Sequence, residues 1–269
     1  MPPFITFLTD FGLMDDFVGT CHGVIKRIAP EAEIIDITHG ISPQSVLEGA
    51  LVLANTVPFM PEGIQLAVVD PGVGSDRRGL ALRDESGRLY VGPDNGLLLP
   101  AAERCGGVAA ARELVNPEFW LEPVSRTFHG RDVFAPVAAH LAKGVSLDEL
   151  GRELDPAGLV RLALPEPSVG MSSVRARALT IDRFGNVQLN LSRAHLERAG
   201  ILPGIRVELE LASERFYAVA ARTFSDVRPG EIVLYEDAYE NVSIAITKGN
   251  AAETMNAAAG DEVRIRVAG

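Results

Sequence analysis

The chain has 269 residues, 47% hydrophobic and 23% charged, a composition that excludes disorder, collagen and coiled coil and fits one large or two modest globular domains. The 25 Lys and Arg against 36 Asp and Glu leave a net charge of −11, which argues against sequence-independent nucleic-acid binding. Cys21 and Cys105 form no disulfide framework and no CxxC pair. No run approaches the roughly 20 apolar residues of a membrane span, and Met1 to Phe4 lacks the basic segment of a signal peptide. A cytoplasmic protein with no membrane attachment is expected.

In chain order, the apolar run 4–9 reads as a buried strand. Residues 16–29 follow with helical spacing of Phe17, Val18, Cys21, Val24, Ile25 and Ile28. Gly19 and Gly23, one turn apart, would let this helix lie close on a sheet. A strand is expected at 34–37. A helix follows, with Ser42 as N-cap, Pro43 as first helical residue, and Val46, Leu47, Ala50, Leu51 and Ala54 apolar. A third strand spans 64–69. Strand and helix in alternation imply a mostly parallel sheet covered on both faces. The residues 164–170, Leu-Pro-Glu-Pro-Ser-Val-Gly, read as a linker. Beyond them, short alternating runs at 175–181, 207–211, 216–221, 231–235, 242–246 and 262–267, separated by turn residues, describe antiparallel β structure. The expected organisation is an α/β domain over 1–163 and a small, all-β, barrel-like domain over 171–269.

Ligands of open parallel sheets bind beyond the carboxyl ends of the strands. Asp10 follows the first strand and Asp70 the third; each either contributes to a site or caps the next turn. The turn Asp10-Phe11-Gly12-Leu13-Met14-Asp15-Asp16 is dense in carboxylates. It suits ribose binding, a hard cation such as Ca²⁺, or a helix start meeting its dipole. Pro71-Gly72-Val73-Gly74-Ser75-Asp76-Arg77-Arg78 matches neither the dinucleotide fingerprint nor the P-loop. His129 stands in a polar loop, 125–132, before a helical stretch closed by Gly144. No His/Cys cluster has zinc-ligand spacing and no nucleophile elbow occurs, so no metal site is expected. Asp182-Arg183-Phe184-Gly185-Asn186 interrupts two strand patterns. It is either a bulged hairpin or a turn offering an aromatic face, an amide and a carboxylate to a ligand.

Taken together, Thr9-Asp10-Phe11-Gly12 with Asp15-Asp16, Val69-Asp70-Pro71-Gly72-Val73-Gly74 with Arg77, Phe128-His129-Gly130-Arg131-Asp132, Asp182 to Asn186, and Gly249-Asn250-Ala251-Ala252 resemble one family over nearly the whole chain. It is the S-adenosyl-L-methionine (SAM) hydroxide adenosyltransferases, relatives of the SAM-dependent chlorinase and fluorinase. The resemblance implies hydrolysis of SAM to adenosine and L-methionine by an activated water or hydroxide at C5′, with SAM as substrate and no cofactor. It implies a homotrimer with sites between subunits. It also implies Asp70, Arg77 and His129 as the catalytic set and Asp10 as the ribose carboxylate, next to Phe11. Asp182, Phe184 and Asn186 would contact methionine and adenine, and the backbone of Ala251 would contact adenine. Gln44 stands where the halogenating relatives stack a tryptophan. Asp237-Ala238 stands where relatives often read Asn-Ser, with Tyr239 and Ser243 as substitutes at the methionine end.

These residues suit water. The sulfonium leaves without acid assistance, so the task is to activate and aim the nucleophile; a carboxylate, a fixed guanidinium and an imidazole do that, and the carboxylate repels halide. Three other readings compete: a calcium-dependent nucleoside hydrolase releasing free base, a non-catalytic adenosyl-compound binding protein, and a halogenase.

Overall fold

The computed structural model describes residues 3–268 and divides into two compact units, Met1–Leu162 and Ala163–Gly269. Met1, Pro2 and Gly269, which fall within the expected domain ranges, lie outside the described residues.

The first unit contains β1 (Phe4–Thr9), α1 (Phe17–Ile28), β2 (Glu33–Thr38), α2 (Val46–Thr56), β3 (Gly63–Val68), β4 (Gly79–Asp84), β5 (Leu89–Pro93), α3 (Leu99–Arg104), β6 (Val108–Leu114), α4 (Ala135–Ala142) and β7 (Gly151–Glu153). They build a seven-stranded sheet in the order β2-β1-β3-β5-β4-β6-β7. The β2-β1-β3-β5 portion is parallel, as the alternation of strand and helix implies. The two-residue period of a strand sorts its side chains between two cores. Ile5 and Phe7 of β1 and Leu66 and Val68 of β3 pack with α1 and α4. Leu8 and Ala67 point the other way, to α2 and α3.

Three features depart from the sequence reading. The β5-β4-β6 portion is antiparallel and was not expected. Its hairpin is built by Asp84, whose Oδ1 accepts the amides of Ser86 and Arg88, each at 2.9 Å. Helix α2 starts at Val46, with Ser45 rather than Ser42 at its N-cap. Gln44, at φ +65°, cannot continue a helix from Pro43. Gly19 and Gly23 do not face the sheet: both are exposed, and a Cβ at either would meet nothing within 4 Å. Helix α1 packs through Val18, Cys21, Val24 and Ile25.

The second unit contains β8 (Ser168–Val169), β9 (Ser173–Ile181), β10 (Val187–Ser192), α5 (Arg193–Arg198), β11 (Arg206–Leu211), β12 (Glu214–Ala220), β13 (Ile232–Glu236), β14 (Asn241–Ile246), α6 (Ala251–Met255) and β15 (Glu262–Val267). The sheet order is β10-β14-β13-β12-β11-β15-β9-β8, and β10 also pairs with β9, so strands β9 to β15 close into a barrel. Strand β8, inside the stretch expected to be a linker, pairs outside the ring with β9. Alternate residues of each strand, such as Val207, Leu209 and Leu211, fill the barrel. All ring pairings are antiparallel except β12–β13.

Candidate active site

Strands β1 and β3 are hydrogen-bonded neighbours running the same way. Asp10 and Asp70, which follow them, therefore project at the same edge of the sheet. Both line a cleft of about 260 Å³, together with Phe11, Gln44, Val73, Phe128 and His129.

The loop after Asp70 folds back on itself. The amide of Val73 donates to the Asp70 carbonyl at 3.2 Å, and the amide of Ser75 to the Gly72 carbonyl at 3.1 Å. The reversal returns Arg77 to Asp70: its Nε lies 2.9 Å from Oδ1 and 3.0 Å from Oδ2, and its Nη2 donates to Oδ2 at 2.5 Å. The same Nη2 lies 2.8 Å from Nδ1 of His129. A guanidinium only donates, so Nδ1 is the acceptor and the neutral ring carries its proton on Nε2. Burial is the main force holding His129 below the ordinary imidazole range, and the Arg77 charge adds to it. The side chains of Asp70 and Arg77 are 6% and 13% exposed, and the guanidinium lies over the Phe134 ring, 5.1 Å from its centroid.

Two contacts seat His129. Asp132, 2% exposed, accepts the Ser125 amide at 2.8 Å and pairs with Arg131 through Nε at 2.6 Å and Nη2 at 2.9 Å, which closes the 125–132 loop. Gly74, at φ +78°, lies so near this loop that a Cβ would stand 2.3 Å from the Arg126 carbonyl oxygen. The second arginine of the Gly-rich turn diverges. Arg78 pairs with Asp94 through Nε at 2.9 Å, and Asp94 accepts the Val160 amide at 3.0 Å. Asp94 did not stand out in the sequence, although Asp94-Asn95-Gly96 directly follows β5 as a turn signal.

Asp10 Oδ2 accepts the backbone amide of Gln44 at 2.8 Å. Gln44 thus meets the cleft with its main chain held in the left-handed conformation. Phe11 packs edge to face against Phe128 and Phe17, with centroids 5.8 and 6.0 Å away. Among the described residues, Asp10, Asp15 and Asp16 do not converge on a common point, contrary to the calcium reading. Asp15 and Asp16 are exposed at the start of α1.

In the second unit, the turn between β9 and β10 is organised by Asp182. Its Oδ1 accepts the amides of Phe184 and Asn186 at 2.8 and 2.9 Å, and its Oδ2 accepts Asn186 Nδ2 at 2.7 Å. Phe184, 73% exposed, Asn186 and Asp182 line an open basin with Phe224, Tyr235 and Asn250. Burial pushes the Tyr235 hydroxyl up to about 12, with the Asp237 and Asp182 charges adding to the rise. The motif at 249–252 reaches this turn through the Ala252 amide, which donates to the Gly185 carbonyl at 2.9 Å. Three expected contact residues do not line the basin. Ala251 is fully buried, main chain included. Ser243, 2% exposed, donates to Asp237 Oδ2 at 3.0 Å. Tyr239 lies in the turn between β13 and β14, where its amide donates to Asp237 Oδ1 at 2.8 Å. Gln188 Nε2 donates to the same carboxylate at 2.9 Å, so Asp237 is the hub of this region, a role its sequence position did not reveal.

Comparison with known proteins matches residues 5–151 to the model of the SAM hydroxide adenosyltransferase N-terminal domain and residues 176–264 to that of the C-terminal domain. The chain is 48% identical over 263 residues to a Salinispora tropica protein named (R)-S-adenosyl-L-methionine hydrolase, covering 98% of this chain and 97% of the relative. It is 32% identical over 292 residues to an Actinoplanes sp. protein named fluorinase, covering 98% and 97%. A crystal structure of an uncharacterized conserved protein from Thermotoga maritima superposes with a TM-score of 0.89 at 37% identity, covering 97% of this chain and 99% of that one.

Proposed function

The chain belongs to the SAM hydroxide adenosyltransferase family, and we propose that it hydrolyses SAM to adenosine and L-methionine by attack of a water molecule at C5′. The observation that carries the mechanism is the chain of contacts from Asp70 through Arg77 to His129. Water rests on Asp70 and His129 with its oxygen in line with the C5′–S bond, and holding it there supplies the entropic part of catalysis. The O–C5′ bond forms as C5′–S breaks. The electron pair passes to sulfur, so methionine departs as a neutral thioether and needs no acid. Once bonded to carbon, the water oxygen is far more acidic than free water, and a carboxylate suffices to take its proton. Asp70 Oδ1, which accepts a single hydrogen bond from Arg77, has the lone pair for it. The tautomer imposed by Arg77 gives His129 an Nε2–H to donate to the water oxygen. Arg77 holds the carboxylate and offsets its charge. A halide in the same place would face that carboxylate as a like charge.

Asp10 Oδ1, which takes no protein hydrogen bond among the described residues, receives the ribose hydroxyls, with Phe11 alongside. The second unit supplies recognition. Phe184 stacks on adenine; Asp182 and Asn186 take the polar end of the ligand; Ser243 and Tyr239 act through Asp237 at the methionine end. The working assembly is a cytoplasmic homotrimer holding substrate between subunits, a reading supported by family membership and by two cysteines that form no disulfide. Among the described residues no helix is long and apolar enough to cross a membrane. The chemistry uses no cofactor. The substrate form is the R epimer at sulfur, the form in the name of the Salinispora relative.

The test is incubation with each SAM epimer in ¹⁸O-labelled water, with and without chloride, read by chromatography and mass spectrometry. Adenosine carrying ¹⁸O at the 5′ position, together with methionine, is expected from the R form. Free adenine, a chlorinated nucleoside, or tight binding without product would each overturn the reading.

A further inference from the structure

A second cluster of reactive side chains lies in the first unit, outside the cleft. His22 of α1, Asp36 of β2 and His39 just beyond β2 each bring a ligand atom to within 4.8 Å of the other two. His22 Nε2 is 2.9 Å, and His39 Nε2 3.1 Å, from the same Asp36 Oδ1. His39 is 4% exposed. Beyond this ion-pair distance to Asp36, its Nε2 has no hydrogen-bond partner among the described residues. Buried ring nitrogens are seldom left unpaired, and such a vacancy calls for an explanation. The opposite nitrogen is occupied: Nδ1 lies 2.9 Å from the Thr9 hydroxyl, which also accepts the Phe11 amide at 3.1 Å. Phe7 packs on both imidazoles, with centroids 4.9 Å from His39 and 5.9 Å from His22, and fixes their planes. A histidine anchored through one nitrogen, with the other turned toward a carboxylate and a second imidazole, has the arrangement of a metal ligand supported by an outer hydrogen bond.

We propose that His22, Asp36 and His39 bind one divalent transition ion of the zinc class, with a fourth position open to water. Two imidazoles and one carboxylate form a nitrogen-rich set that suits zinc and its neighbours and disfavours calcium and magnesium, which take oxygen. None of the three residues lines the cleft at Asp70. The role is therefore structural: the ion pins α1 to the end of β2. The His39 carbonyl accepts the Gly12 amide at 2.7 Å, so the clamp extends to the turn after β1. Sequence spacing could not reveal the site, because residue 22 joins residues 36 and 39 only once β2 lies beside β1 and α1 crosses over them.

The test uses the full chain, stripped with a chelator and titrated with Zn²⁺ against a chromophoric competitor. One zinc per chain is expected, with a rise in Tm that Ca²⁺ does not reproduce. Cobalt in place of zinc should give the visible absorption of a nitrogen-ligated ion. The double variant His22→Gln, Asp36→Asn, changed at two partly exposed positions, should fold and lose the site. Thr9→Val, which removes the outer hydrogen bond to His39 together with the one from the Phe11 amide, should weaken zinc by about 10- to 100-fold. Zinc bound no more tightly by the wild type than by the double variant would overturn the proposal. So would a wild-type chain showing neither a zinc-dependent Tm nor cobalt absorption, whatever the folding of the variants.

Discussion

The two units handle polar groups in opposite ways. In the first, the groups at the cleft are paired with one another and sheltered: Asp70 and Arg77 are 6% and 13% exposed, and Arg77 also contacts His129. In the second, the turn holding Asp182 and Asn186 is open, and Phe184 stands 73% exposed at its tip. Paired groups in a sheltered cleft are pre-aimed and exert strong fields, which is what a reaction needs. An exposed ring above a self-bonded turn gains its contacts only when a ligand covers it, which is what recognition needs. Under the proposed function the chemistry and the ribose contact fall to the first unit and the remaining recognition to the second, and substitutions can break that division.

The largest effect is expected at Asp70. Asp70→Asn keeps the shape of the side chain and removes the proton acceptor, so turnover should fall by about 10²- to 10⁴-fold. Calorimetry should find SAM binding within a few-fold of wild type; a matching loss of binding would erase the contrast. Phe184→Ala should do the reverse, weakening binding by about 1–3 kcal/mol, the usual worth of an aromatic ring stacked on a base. Saturating turnover should survive, and a fall in kcat with unchanged KM would move Phe184 into the chemistry.

Gly74→Ala forces a Cβ to within 2.3 Å of the Arg126 carbonyl at φ +78°. It should cost about 1–3 kcal/mol. Trp120, the single tryptophan, lies in the first unit and reports that loss in a denaturant titration. The pH profile sharpens the role of His129. Its folded value lies below 6.5, mainly from burial, so the neutral ring that accepts from Arg77 persists down through pH 6.5. Turnover should stay level above that point and fall about tenfold per pH unit beneath a lower midpoint, as for one essential unprotonated group. A midpoint above 6.5 would contradict the contact with Arg77. The smallest effect is Gln44→Gly. It relieves a left-handed residue at about 1–2 kcal/mol and adds unfolded-state entropy of about 0.5–1 kcal/mol. A slight gain in Tm with unchanged turnover is expected, since the amide to Asp10 is retained.

Much of the cleft was legible because its parts are local. A strand ending in Asp10, another ending in Asp70, and a glycine-rich reversal carrying Arg77 are each written in a few consecutive residues. The bond from Arg77 to His129 joins residues 52 positions apart, and no spacing rule reports such a contact. The barrel strands were legible from alternation, whereas the β5-β4-β6 portion was not: its hairpin turn combines the side chain of Asp84 with Gly87 at φ +93°, and β6 pairs with β4 across the intervening β5 and α3. The start of α2 was misplaced for a related reason. Ser42-Pro43 has the composition of a helix start, but Gln44 is turned to the left-handed side, and its amide binds a carboxylate 34 positions away. Asp237, the hub for Ser243, Gln188 and Tyr239, was read only as a departure from a family pattern, since its partners come from two other strands and a turn.

The lone parallel pairing of the barrel, β12 with β13, follows from parity. Strands that alternate up and down can close a ring only if their number is even. The ring formed by β9 to β15 has an odd membership, so one neighbouring pair must run the same way. Successive parallel neighbours cannot be joined by a tight hairpin, and the chain must travel from the finish of one to the beginning of the other. That return path, residues 221–231, carries Phe224, which packs at a tilt against Tyr235 with centroids 4.6 Å apart and walls the basin beside Phe184. An even ring would need no such path, so counting strands accounts for how this aromatic wall comes to be there.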